Sequence, residues 1–176
     1  WRDQIRSPRE GPEFLLEYLR STDYQVFGPK EIDKLYGAYF DHVSAETKSA
    51  FLRDYFGFQR DLRNATTALR ARRKGIEPSE AVVGEGEFVD ILGGSTAEDF
   101  GLGREHPWME GLLKAETPDQ LQELIEQLLW EYLDEHAGTD PFGFGVILAY
   151  LLKIEMLQKR LELNEEKGME RVRRVG

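Results

Sequence analysis

The sequence contains no cysteine, which removes disulfides, thiolate metal sites and cysteine nucleophiles together. That absence fits a reducing compartment, so a cytoplasmic location is expected. Histidine is scarce: His42, His106 and His136 are scattered, and none has a second histidine one helical turn away, as a helical metal site needs. Long apolar runs are missing as well. The longest, Phe142 to Leu152, is about half the length needed to cross a bilayer and is closed by Lys153, so no transmembrane segment is expected. Strand-like alternation is nowhere sustained beyond a few residues near Ala81 to Val83, which leaves no sheet for an α/β enzyme. The chain begins at Trp1 without Met, basic n-region or apolar h-region; it shows no recognisable signal peptide and is consistent with a fragment lacking its native N-terminus.

Catalytic signatures are also wanting. Gly84-x-Gly86, Gly101-x-Gly103 and Gly143-x-Gly145 follow no strand and lead into no Gly-Lys-Ser/Thr, so they read as turns rather than phosphate loops. There is no G-x-S-x-G elbow. Glu131, Asp134, Glu135, His136 and Asp140 form the densest set of potential ligands, and Glu131 and Glu135 share a helix face. No second helix offers the Glu-x-x-His partner of a di-iron bundle, so the set reads as a solvated helix end. Neither catalysis, metal nor cofactor is expected.

What is present describes an all-α protein. The 176 residues are 40% hydrophobic and 32% charged, the composition of a folded chain with much exposed helix surface, and their number suits a single helical domain over 1–176. Charge is uneven: from Ile76 to Glu135, sixteen acidic residues face only Arg104 and Lys114, a balance of −14 within a total of −10. Arg60, Arg63, Arg70, Arg72, Arg73 and Lys74 make the preceding segment basic, as Arg171, Arg173 and Arg174 do the C-terminus. The asymmetry and the acidic pI favour protein partners or intramolecular pairing over nucleic acid.

Apolar spacing predicts an irregular bundle of about five to seven helices. Phe14, Leu15, Tyr18 and Leu19 mark a short first helix, and Pro29 opens a second that runs through Tyr39 and Phe40 toward His42. A long amphipathic helix is predicted from Ala45 to Lys74, with Ser44 as N-cap and Gly75 at the left-handed position beyond its end. Its seam is Phe51, Tyr55, Phe58, Leu62, Ala65 and Leu69, at spacings that bury one helix against another. Gly57 lies inside this helix at a cost of about 1 kcal/mol. The stretch 76–107, broken by Pro78 and six glycines, has room only for short helical turns such as Phe88 to Leu92 and reads as an irregular connecting segment, mobile or shaped by a partner. Thr117-Pro118 caps a helix that ends at Gly138. After Asp140-Pro141 a last helix runs from about Phe144 through Leu161, its first half expected in the core and its tail at the surface.

Several runs resemble a known family. Asp61-Leu62-Arg63-Asn64 followed by Leu69-Arg70-Ala71-Arg72-Arg73-Lys74-Gly75 is similar to a segment of the central-stalk component of A-type and V-type rotary ATPases that is called C, or d in eukaryotes. Pro141, Gly143, Ile147, Ala149-Tyr150-Leu151-Leu152-Lys153 and Glu155 resemble that family's C-terminal helix, with Ile154 separating the Lys from the Glu. A bacterial family found alongside V-type ATPase subunits is closer still, sharing Asp99-Phe100-Gly101-Leu102, Trp130 with Leu133-Asp134-Glu135-His136, and Leu151-Leu152-Lys153-Ile154-Glu155-Met156. The stalk components of this kind are longer and built from several related helical domains, so this chain would supply part of that funnel.

The resemblance implies a non-catalytic subunit or accessory in ion transport, a peripheral protein on the inner face of the membrane that links the rotor shaft to the membrane ring. Its partners would be other V-type ATPase subunits, and it implies no cofactor. Arg60, Arg63, Asn64, Arg70, Arg72, Arg73 and Lys74 are the candidate partner-binding residues; stabilisation of cations by the helix dipole is the plainer account of the last four. The alternative is a free-standing helical adaptor, dimeric through the seam of Phe51 to Leu69.

Overall fold

The structure of the protein, a computed structural model, describes the backbone of residues 12–21 and 28–175, with the side chains of 21, 29, 30 and 163–175 left aside. Among the described residues seven helices lie in chain order, with no strand: α1 (Glu13–Ser21), α2 (Pro29–Glu46), α3 (Ala50–Arg73), a 3-10 turn (Pro78–Glu80), α4 (Glu87–Gly94), α5 (Trp108–Lys114), α6 (Pro118–His136) and α7 (Phe144–Val175). No helix among the described residues is long and apolar enough to cross a membrane. The C-terminal cations Arg171, Arg173 and Arg174 fall outside the described side chains, and the first ten residues outside the described chain. Where composition suggests one domain, the fold divides into two compact units, Trp1–Glu116 and Thr117–Gly176.

Unit 1 is organised around α3, which packs on α2, on the 3-10 turn, on α4 and on α5. Four of the six predicted seam residues, Tyr55, Leu62, Ala65 and Leu69, are buried, and Phe51 and Phe58 are half-buried. Between Leu62 and Ala71 burial extends around most of the helix, taking in Asn64, Thr66 and Ala68. The small side chains Ala65, Ala68 and Ala71 let neighbouring backbone approach closely. Thr66 satisfies its buried hydroxyl by donating to the Leu62 carbonyl at 2.8 Å. Its own chain covers four of the six seam residues.

The start of α3 differs from expectation. α2 runs through Ser44 to Glu46, and the break falls at Thr47, whose backbone is extended. Ser49 is the cap, its Oγ accepting from Leu52 N–H at 3.4 Å. Local sequence offers both serines as caps, and α2 continues one turn past Phe40 and through the first. At the other end, Gly75 (φ +70°) forms a Schellman closure: Gly75 N–H donates to Arg72 O at 3.0 Å and Ile76 N–H to Ala71 O at 2.9 Å. Pro29 is the first residue of α2, and the Glu31 carboxylate accepts from Gly28 N–H at 3.0 Å.

The segment 76–107 is not a loose connection. Pro78, Val89, Leu92, Phe100 and Leu102 are buried as it doubles back on α3. No strand forms near Ala81 to Val83, where Ala81 lies in a turn, and α5, with Met109 and Leu112 fully enclosed, also packs on α3.

Unit 2 is a helical hairpin, α6 on α7. Thr117 caps α6 with the reciprocal bonds of a capping box: Gln120 N–H donates to Thr117 Oγ1, and Thr117 N–H to Gln120 Oε1, each at 3.2 Å. A Cβ added at Gly145 would lie 2.5 Å from the Ala137 carbonyl oxygen, so only glycine lets α7 start so close to the end of α6.

Candidate interaction surfaces

The basic residues of α3 divide by what their side chains touch. Asn64, 0% exposed, grips Val83 with both ends of its amide: Nδ2 donates to Val83 O at 2.8 Å and Oδ1 accepts from Val83 N–H at 2.9 Å. Arg72 donates to the carbonyls of Ser95 and Ala97, reaches that of Glu98 at 3.4 Å, and lies 3.6 Å over the Phe100 ring. It thereby holds a turn in which Phe100 adopts φ +59°, a left-handed conformation costly for an aromatic residue. Within that turn the Asp99 carboxylate accepts from Gly101 N–H at 2.9 Å and Gly103 N–H at 3.2 Å, and these bonds, Gly101's first, hold it below the ordinary carboxylate value.

Arg63 pairs with Asp33 of α2 and stacks 4.2 Å over Tyr36, although its Nη1 is buried without a hydrogen-bond partner. Arg60 pairs with Asp61 at 3.4 Å and lies along Gly84. Burial pushes the Asp61 carboxyl up from 3.8, against the pull of the Arg60 charge and hydrogen bond and of His106. Arg73 is exposed, with one bond to the Leu113 carbonyl at 3.3 Å. Arg70 and Lys74 are exposed, and neither side chain has an ion pair among the described residues. Of the seven candidates, Arg60, Arg63, Asn64 and Arg72 are therefore tied within unit 1, and Arg70, Arg73 and Lys74 present charge at its surface.

The acidic set at the end of α6 spreads apart in the same way. Asp134 pairs with Lys153, which also lies 4.6 Å over the Trp130 ring. His136 stacks on Tyr132 at 4.0 Å and shares a hydrogen bond with the Tyr132 carbonyl. Among the described residues no three His, Cys, Asp or Glu side chains converge as metal ligands.

A further surface follows from no sequence prediction. Along α7 only Ala149 is fully buried among the described side chains, while Phe144, Ile147, Tyr150, Leu151, Leu157 and Leu161 stand 47–68% exposed. The first half of α7 is therefore not core in the way expected. The sequence signal was available: the uncharged run Phe142 to Leu152 is apolar at every helical phase, more than one contact with α6 can cover.

The chain belongs to the family described as Protein of unknown function (DUF2764), whose match spans residues 8–175. No curated protein and no solved structure matches it.

Proposed function

We propose that this family member is a non-catalytic accessory subunit of a V/A-type rotary ATPase, placed between the rotor shaft and the membrane ring and held at the inner membrane face through that complex. One observation carries the reading. The residues through which the chain resembles the rotary-ATPase stalk component coincide with its fasteners: Asn64, Arg72 and Gly75 fold unit 1 onto α3, and Lys153 ties α7 to α6. The likeness therefore falls on positions that determine helical architecture, where chance similarity between amphipathic helices has no reason to concentrate. Exposed Arg70, Arg73 and Lys74 at the end of α3 supply the polarised surface that a clamped protein presents to acidic neighbours, steering association and fixing orientation.

Affinity capture of the tagged chain from its native membranes tests the reading; recovery of V-type ATPase subunits is expected, and their absence above background overturns it. Paired Arg70→Glu and Lys74→Glu changes, at exposed side chains without an ion pair among the described residues, should lower that recovery roughly tenfold, the equivalent of about 1.4 kcal/mol, with thermal unfolding unchanged.

A further inference from the structure

Among the described residues, most of the large hydrophobic side chains that stand exposed lie along α7. Gly145, Ala149, Leu152 and Met156, at alternating steps of four and three, occupy one side of the helix, and contact with α6 falls there, with Ala149 4% exposed. Ile147, Tyr150, Leu151, Ile154, Leu157 and Leu161 occupy the opposite side. A helix apolar on two opposite sides needs two neighbours, and unit 2 supplies one. Its fully buried hydrophobic side chains are Leu133 and Ala149 alone among the described residues.

We propose that a second copy of this chain supplies the other neighbour: α7 packs antiparallel on its counterpart, and two hairpins close a four-helix bundle. Two observations favour this occupant. The first is extent. The exposed portions of these side chains amount to on the order of 600 Å², at the upper end of the largest patch on a typical monomer. Two such faces together come to about 1,200 Å², the lower end of what a stable interface buries.

The second is symmetry. About Leu152 the outward residues Ile147 and Tyr150 are mirrored by Leu157 and Ile154, so antiparallel pairing centred there sets Ile147 against Leu157 and Tyr150 against Ile154 of the second copy.

Light scattering and sedimentation on the full chain read the mass: twice the 20.3 kDa of one chain is expected at about 100 µM. A monomer there overturns the proposal. Leu151→Glu with Leu157→Glu should weaken the dimer at least tenfold with far-ultraviolet circular dichroism unchanged, since these side chains are 54% and 48% exposed. A dimer of unchanged strength overturns the assignment to this face. Orientation is read without any disruptive change, because the chain has no cysteine of its own. Mild oxidation of mixed Ile147→Cys and Leu157→Cys chains should give a covalent dimer that neither chain gives alone. Cross-linking of either alone, or none in the mixture, overturns the antiparallel pairing. None of these measurements involves the ATPase, so failure here leaves the functional proposal standing, and the reverse holds.

Discussion

Replacing Asn64 by Ala removes both hydrogen bonds to Val83 at a side chain with no solvent exposure. Each bond contributes about 0.5–1.5 kcal/mol net. The void left in a closely packed wall adds to this, while half-buried Val83 recovers part of its hydration. Together the loss is roughly 2–4 kcal/mol, which at about 4 °C per kcal/mol for a domain of this size lowers the melting temperature by roughly 8–16 °C. Hydrogen exchange resolved by peptide gives the sharper readout: protection should fall across 78–94 while peptides of α6 keep theirs. Asn64→Asp supplies an internal control. Its carboxylate still accepts from Val83 N–H but opposes the Val83 carbonyl, and only the protonated acid can donate. Burial raises such an acid's folded pKa, so the penalty is absent below its unfolded value of about 3.9 and grows as pH rises through and beyond it. Unchanged exchange at 78–94 in Asn64→Ala, with a stability change under about 1 kcal/mol, refutes the view that this amide fastens the segment.

Other outcomes follow from the same geometry. Arg72→Lys should be little better than Arg72→Ala, since an ammonium cannot span the carbonyls of Ser95 and Ala97 while lying flat on Phe100; both should lose about 1–3 kcal/mol of local stability, read as faster exchange at 95–104. Gly57→Ala should raise stability by about 1 kcal/mol, because the site is mid-helix with nothing within 4 Å of the added Cβ. Gly75→Ala, in equally open space but at φ +70°, should lower it by about 1 kcal/mol, and chemical denaturation separates the two. Asp61→Asn should be neutral or stabilising at pH 7: the folded-state pKa is raised above 3.8, so the ionised carboxyl weakens the fold above that range. The benefit should fade as wild type and variant are compared at pH values falling below it.

Helix ends were legible wherever the chemistry is local. Pro29, Thr117-Pro118 and Gly75 act through their own φ values or through bonds within a few residues, so the chain announces them. Ser44 misled because two serines five residues apart offer the same cap, and the structure uses Ser49. The segment 76–107 was opaque for another reason. Its order comes from polar side chains on α3 reaching its backbone carbonyls, which leaves no periodic mark in the segment itself. Half of the cations that stand out in sequence as a patch, Arg60, Arg63 and Arg72, are for the same reason spent inside: a charge run shows that side chains can pair, and only the fold shows with what. The open face of α7 was hidden behind a sound expectation, since an apolar run normally predicts burial, and a hairpin has too few helices to provide it.

The reach of the fasteners on α3 is short. Asn64 meets a residue 19 positions on, and Arg72 meets residues 23 and 25 positions on. The entropy lost on closing a loop grows only with the logarithm of its length, and domains built from such near-neighbour closures fold fast for their size. The glycine-rich stretch can therefore settle onto a helix that has already formed, residue by residue behind it.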